Sequence, residues 1–312
     1  MLNTEKYQQL VRLHNAIRQK DPFQSKHLSR LWQGKDETYF NEAEAILGTF
    51  VEYMTSVATD YEYLVTSYLD MCKSILTEQI RFKRTGDYRY NEMNTVIKEV
   101  YSNAEFMKRY MIGVAISEAI WENHFVMYNF YKHSISEGVH PPTYLEIGVG
   151  HGLFLLHALR QEGLTEVVGV DISETSIALT KGLLKFYGVD FGNLRLIHED
   201  VMATKFSSQG NFGFITMGEV LEHVEQPLNL LTRIKELLHL KGRAYISTCA
   251  NAPVVDHIYL FRNVEEIRSM ISAAGLSIKE ETIIANDGTS ETMWEKESAN
   301  LSYAAIVKVR GA

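Results

Sequence analysis

The chain has 312 residues, 46% hydrophobic and 22% charged, enough for about two domains with full cores and far from the composition of a disordered protein. Its formal net charge of −8 argues against a strong non-specific nucleic-acid binder, which needs a basic field to displace counterions from phosphates. Cys72 and Cys249 match neither a zinc spacing nor a disulfide framework, which fits a reducing compartment.

The N-terminal stretch MLNTEKYQQLVRLHN lacks the continuous apolar run of a signal peptide, and no later run approaches the roughly 18 apolar residues of a membrane span. A soluble, cytoplasmic protein is expected. Residues 1–139 read as an all-helical domain. Leu64, Tyr68, Met71, Ile75 and Leu76 keep a 3.6-residue rhythm, as do Ile97, Val100, Tyr101, Ala104, Met107 and Met111. Between these runs a Gly86-Asp87 turn is predicted, and the surrounding Arg81, Lys83, Arg84 and Arg89 read first as a solvated loop flank. The stretch YMIGVAISEAIWENHFVMYNFYKH is apolar around most of its circumference and is expected to be buried between the two halves. Aromatic residues at helical spacing read as core, the remainder suiting the wall of a substrate cavity.

After Pro141-Pro142 the pattern changes to strand, turn, helix. TYLEI, EVVGVD, NLRLIHED, FGFITMG and GRAYISTCA are short β-rich runs, separated by the helical LFLLHALRQ, TSIALTKGLLKFYG and LNLLTRIKELLHL. VEEIRSMISAAG adds a helix, LSIKEETII and LSYAAIVKV add two late strands, and ANDGTSETMWEKESAN reads as a polar loop between them. This alternation predicts an α/β domain over residues 140–312 built on a doubly wound, mostly parallel sheet, with ligands at the carboxyl ends of its strands.

The first strand is followed by Gly148, Gly150 and Gly152, and Asp171 ends the second strand. Glycines let the backbone turn tightly beside a ligand, and an acid about 20 residues on suits a ribose diol. The third glycine follows the second by two residues rather than the three usual for a dinucleotide. Glu146 disfavours a pyrophosphate but suits the sulfonium and ammonium of S-adenosylmethionine.

In this order and spacing YLEIGVGHG, VVGVDIS, LIHEDV, FITMGEVLEHV and LKGRAYIST resemble the successive motifs of class I S-adenosylmethionine-dependent methyltransferases. The resemblance covers roughly residues 140–312 and implies a seven-stranded sheet whose last strand is antiparallel. It also implies roles by position. The backbone at Gly148, Gly150 and Gly152 would line the methionine part of the cofactor, with Glu146 near its ammonium. Asp171 would hold the ribose hydroxyls, Ile172 would pack on the adenine, Asp200 would accept its amino group and Val201 would offer a backbone amide. Gly218 and Glu219 would face the sulfonium and the substrate.

The segment GEVLEHVEQP places Glu219, Glu222 and His223 at i, i+3 and i+4, the spacing of one helical face. Three readings stand: a divalent-metal site, a metal-free site with His223 as general base, and an acid-rich helix start with no chemistry. The E-x-x-E-H turn resembles that of ubiquinone-pathway O-methyltransferases and of small-RNA 2′-O-methyltransferases, in which it holds a divalent cation. By that resemblance His257, in the loop after the fifth strand, would be the fourth ligand beside Glu219, Glu222 and His223, in a set suited to Mg²⁺, Mn²⁺, Fe²⁺ or Zn²⁺. The leading expectation is a small-molecule methyltransferase, O-directed, with the helical half as a lid or homodimer surface. Its alternatives are an RNA 2′-O-methyltransferase, an N- or C-methyltransferase using His223 as base, and a non-catalytic module that binds the cofactor.

Overall fold

In the computed structural model, which describes residues 3–206, 212–286 and 290–311, short polar side chains mark where the first helices begin. After α1 (Gln8–Lys20), Asp21 accepts the Gln24 N–H and Pro22 opens α2 (Pro22–Leu31). Asp36 and Asp60 cap α3 (Glu37–Ser56) and α4 (Tyr61–Thr85) in the same way. The predicted turn after α4 is present: Gly86 adopts φ 75° and returns its N–H to the Phe82 carbonyl at 2.8 Å.

Two details of the helical half differ from the sequence reading. The rhythm over residues 97–111 belongs to two pieces, not one. A short α5 (Met93–Val96) runs into a π-helical turn over Ile97–Tyr101, and α6 (Ala104–Ile120) starts only after the Asn103 amide has captured the Phe106 N–H. An amide that offers its own acceptor to the backbone competes with the helical ladder, and here it resets the helix. In α4, Leu76 is 54% exposed whereas Glu78 is buried, the latter held by Arg89. Trp121, in extended backbone, divides α6 from α7 (Glu122–Ser136) and donates its indole N–H to the Tyr68 hydroxyl at 2.9 Å.

Residues beyond 140 build β1 (Thr143–Ile147), α8 (Leu153–Leu159), β2 (Glu166–Asp171), α9 (Glu174–Phe186), β3 (Leu194–His198), β4 (Phe212–Met217), α10 (Pro227–Leu237) and β5 (Leu238–Ala250). They continue with α11 (Val264–Ala273), β6 (Leu276–Ala285), α12 (Trp294–Glu297) and β7 (Leu301–Val309). The helix read through Leu240 stops at Leu237, because Leu238 already pairs with Phe212 of β4 ahead of a register shift at Phe212 to Phe214. Its apolar residues satisfy either period, and the strand ladder decides. Of the expected polar loop, residues 287–289 lie outside the described residues; its later part forms a 3₁₀ turn at Glu291–Met293 and α12.

The seven strands pair in the order β3-β2-β1-β4-β5-β7-β6, with β7 antiparallel to both neighbours and the other pairings parallel. The order reverses at β1, between β2 and β4, where a crevice opens beyond the strands' carboxyl ends. Alternation along each strand sorts side chains between two cores. Tyr144, Phe214 and Tyr245 face a core shared with α1, α3, α4, α6, α7, α8 and α9, whereas Leu145, Ile215 and Ile246 face α10 and α11. The helical half and one sheet face therefore share a continuous apolar interior. No helix among the described residues is long and apolar enough to cross a membrane.

Candidate active site

One cavity of about 1410 Å³ lies over the crevice, bounded below by the sheet edge and above by α4, the π-helical turn and α6. Single ligand pockets run to about 300–1000 Å³, so this volume accommodates two small molecules together. Strand alternation selects its floor: Glu146 of β1, Thr216 of β4, and Tyr245, Ser247 and Cys249 of β5 all project to this side.

The glycine loop forms one wall. Gly148 has φ 78°, and a Cβ there would meet Val220 Cγ2 at 2.7 Å, so the loop's backbone is packed directly against the Val220 side chain of the turn after β4. Gly148 and Gly150 line the cavity. Gly152 instead opens α8 against α9, where a Cβ would lie 2.9 Å from Thr180 Oγ1. Asp171 accepts the Gly150 N–H at 3.1 Å and the Ser173 N–H at 2.8 Å, which ties the loop to the end of β2. Burial raises its pKa, and the two N–H groups oppose that rise. Ser173, not Asp171, caps α9. Ile172, Asp200 and Val201 continue the wall, Asp200 exposed and bonded to the Met202 N–H at 2.8 Å. Glu146 is buried and takes a hydrogen bond from the Tyr144 hydroxyl at 2.6 Å; desolvation, with Asp171 adding to it, pushes its pKa up to about 8.

The acidic turn forms the opposite wall. Gly218 leaves β4, and Glu219 takes a left-handed φ of 51°, its N–H bonded to both the Ser247 carbonyl and Oγ at 3.1 Å. Asn251, at the end of β5, has the same φ of 51°. Non-glycine residues held in this region cost about 1–3 kcal/mol each and concentrate at functional sites. The turn at Leu221–His223 is a 3₁₀ helix rather than the start of an α-helix.

Glu222 is fully buried behind the wall. Its Oε2 accepts from Thr248 Oγ1 at 2.7 Å and its Oε1 has no hydrogen-bond partner. Glu219 Oε1 is likewise sealed and unpartnered. The four expected metal ligands fall into two overlapping groups, each with donor atoms within 4.8 Å: Glu222, His223 and His257, and Glu219, Glu222 and Cys249. Two bare carboxylates at such separations repel by roughly 3 kcal/mol or more at an effective dielectric of about 20, so something positive is required between them. Burial raises both carboxyl pKa values, and the Glu219 charge lifts Glu222 further, so without a cation the pair retains a proton.

The imidazoles are equally constrained. His223 Nδ1 donates to the Asp256 carbonyl at 3.1 Å and lies 3.4 Å from both Asp256 Oδ2 and the Tyr101 hydroxyl. That bond fixes the proton on Nδ1 and leaves Nε2 bare, 3.9 Å from Glu222 Oε1. His257 stands edge-on to His223 with ring centroids 4.8 Å apart, and burial together with His223 holds its pKa well below the usual histidine range. Its Nδ1 is 3.8 Å from Cys249 Sγ.

Cys249, Asp256, Tyr101 and Glu118 belong to this site but escape the sequence reading. Alternation with Tyr245 and Ser247 was a signal for Cys249, and adjacency to His257 was one for Asp256. Of the basic cluster near Gly86, Arg89 is engaged with buried Glu78 and Arg81 with the Asp87 carbonyl.

Residues 127–280 match a family model described as a methyltransferase domain. The mitochondrial ubiquinone biosynthesis O-methyltransferase of Schizosaccharomyces pombe is 35% identical over 104 residues, 33% of this chain and 36% of that protein. The ubiquinone biosynthesis O-methyltransferase of Pseudomonas paraeruginosa is 31% identical over 126 residues, 40% of this chain and 50% of that protein. The chain thus spans a third to a half of the length of these curated relatives. Among solved structures, the N-methyltransferase NodS from Bradyrhizobium japonicum in complex with S-adenosyl-L-homocysteine superposes with a TM-score of 0.49 at 14% identity, covering 67% of this chain and 97% of that one. The C-terminal half of the chain carries a class I S-adenosylmethionine-dependent methyltransferase domain.

Proposed function

We propose that the chain methylates a hydroxyl oxygen of a small molecule, at a site where Glu222, His223 and His257 hold a divalent cation with Glu219 beside them. The observation that carries this reading is the clustering of those donors at one wall of the cavity that the glycine loop also lines, where Glu219, His223 and His257 face the cavity and the orphaned Glu222 Oε1 lies just behind them.

The donor chemistry suits both absent groups. Among the described residues the cavity wall carries Lys20 and Lys73 as its lysines and no arginine, and neither lysine is near the glycine loop in sequence. Glu118, Glu146 and Asp171 are the carboxyl groups beside the glycine loop, a set that favours a cationic sulfonium and ammonium over a pyrophosphate. Gly148 and Gly150 would offer backbone along the amino-acid part, Asp171 its spare lone pairs to the ribose, Ile172 an apolar face to the base, and Asp200 and Val201 polar groups to the base edge. S-adenosylmethionine supplies the electrophilic methyl. A divalent cation supplies a Lewis acid that lowers the pKa of a coordinated hydroxyl.

The chain's own part is positioning and proton handling. Asp256 holds His223 in the Nδ1–H tautomer, so Nε2 is free to ligate or to accept the hydroxyl proton. His257, kept neutral, presents a donor nitrogen. Tyr101, Met107 and Met111 roof the cavity and exclude water. The few cations on the wall and the engaged arginines near Gly86 favour a small molecule over RNA.

The test is calorimetry with S-adenosyl-L-homocysteine followed by methylation assays on hydroxylated aromatic probes. Absence of binding sinks the reading altogether. His223→Ala and His257→Ala should lose activity together, and EDTA should mimic both; full activity after exhaustive chelation leaves His223 as a metal-free base.

A further inference from the structure

Along α6 the residues facing the cavity are Met107, Tyr110, Met111, Val114 and Glu118, a helical stripe with a single acid in it that Trp121 extends just past the helix end. Glu118 is 7% exposed, and its Oε2 is buried with no hydrogen-bond partner. Its Oε1 lies 3.6 Å from His151 Nε2. His151 belongs to the glycine loop, and the Leu153 N–H donates to its Nδ1 at 3.2 Å. Nδ1 is thus the bare nitrogen, and Nε2 carries the proton that faces Glu118. One carboxylate oxygen faces the loop's imidazole beyond hydrogen-bond distance, and the other has no partner. A buried carboxylate left so poorly satisfied is costly unless a positive group completes it.

The glycine loop passes close beneath the same stripe, a Cβ on Gly150 falling 3.5 Å from Met111 Sδ. Glu146, the acid expected beside the cofactor's ammonium, is already engaged by Tyr144 and held largely neutral by burial. That leaves Glu118 as the open carboxylate next to the loop.

We propose that Glu118 receives the ammonium group of the cofactor's amino-acid end, so that the helical half supplies part of the cofactor site. This rests on the cofactor reading above. It implies that α6 is oriented by the cofactor as well as by the apolar core.

The test compares two probes by calorimetry in wild type and Glu118→Gln. S-adenosyl-L-homocysteine carries the amino-acid group; 5′-methylthioadenosine has the same nucleoside and thioether without it. The variant should bind S-adenosyl-L-homocysteine about 10- to 100-fold more weakly, the range of a charge-assisted hydrogen bond, while its affinity for 5′-methylthioadenosine stays that of wild type. Glu118→Asp should recover part of the loss. Unchanged affinity for S-adenosyl-L-homocysteine overturns the proposal, and so does equal weakening for both probes, which assigns the carboxylate to the shape of the pocket. If wild type binds neither probe, the cofactor reading itself fails, a result distinct from both.

Discussion

The contact between Gly148 and Val220 makes the position of the acidic turn depend on the glycine loop, and a double-mutant cycle measures that dependence. Gly148→Ala places a Cβ 2.7 Å from Val220 Cγ2 in backbone of φ 78°. Left-handed backbone costs an L-residue about 1–2 kcal/mol, and overpacking adds about 1–3 kcal/mol. A total loss of about 2–5 kcal/mol is expected. Val220→Ala removes two partly buried methyl groups at about 1 kcal/mol. In the double variant the backbone strain remains but the clash disappears, so the combined loss should fall short of the sum by about 1–2 kcal/mol, beyond the roughly 0.5 kcal/mol scatter of independent sites. Denaturant unfolding of the four proteins, followed by tryptophan fluorescence, supplies the energies; titration with S-adenosyl-L-homocysteine supplies the functional counterpart. In the single Gly148→Ala protein affinity should fall, and in the double variant it should partly return. Additive losses would mean that Val220 moves aside freely and that the loop does not set the turn.

Three further outcomes follow from individual groups. The Glu146 pKa is raised in the folded state, so its contribution to stability is present below about pH 4.5 and lost as pH rises through about 8; Glu146→Gln should flatten that decline in denaturation profiles of the ligand-free protein. Thr248→Val removes the donor to buried Glu222 Oε2 and should cost about 1–3 kcal/mol in unfolding experiments; a change within experimental error would show that Glu222 is satisfied otherwise. Gly182→Ala brings a Cβ to 2.2 Å from the Tyr53 hydroxyl where α9 meets α3, and should destabilise by about 1–3 kcal/mol, with Tyr53→Phe at the same time restoring part of it.

The sheet half is legible in the sequence because glycines and β-rich runs punctuate it and because each strand's alternation is short-range information. Asp171, Gly150 and Glu219 could be placed at strand ends on that basis, and they line the cavity. What escapes is set by contacts across long stretches of chain. Glu118 meets His151 across a helix-to-loop contact, and Tyr101 reaches Asp256 and His223 from a π-helical turn whose register differs from the 3.6-residue rhythm. Glu222 could be named but not located: its burial behind the wall depends on Thr248 and on the Ile258 and Tyr259 N–H groups that bond its carbonyl at 2.8 and 2.9 Å. Leu76 satisfied the helical period yet is 54% exposed at the rim of the cavity, because the face that α4 buries drifts along its 25 residues.

The common interior of the helical half and the sheet restricts how anything enters or leaves. A roof rooted in the same core as its floor cannot swing away as a rigid flap without exposing Tyr131, Tyr144 and Tyr245 to water. The short α5 and the π-helical turn reach the rim of the cavity with Ile97 43% exposed, so local opening there offers a route that leaves the shared core intact. The breathing of a few residues around Met93 and Ile97 would then govern how long product stays, making turnover sensitive to viscosity and to helix-stabilising substitutions in that one segment.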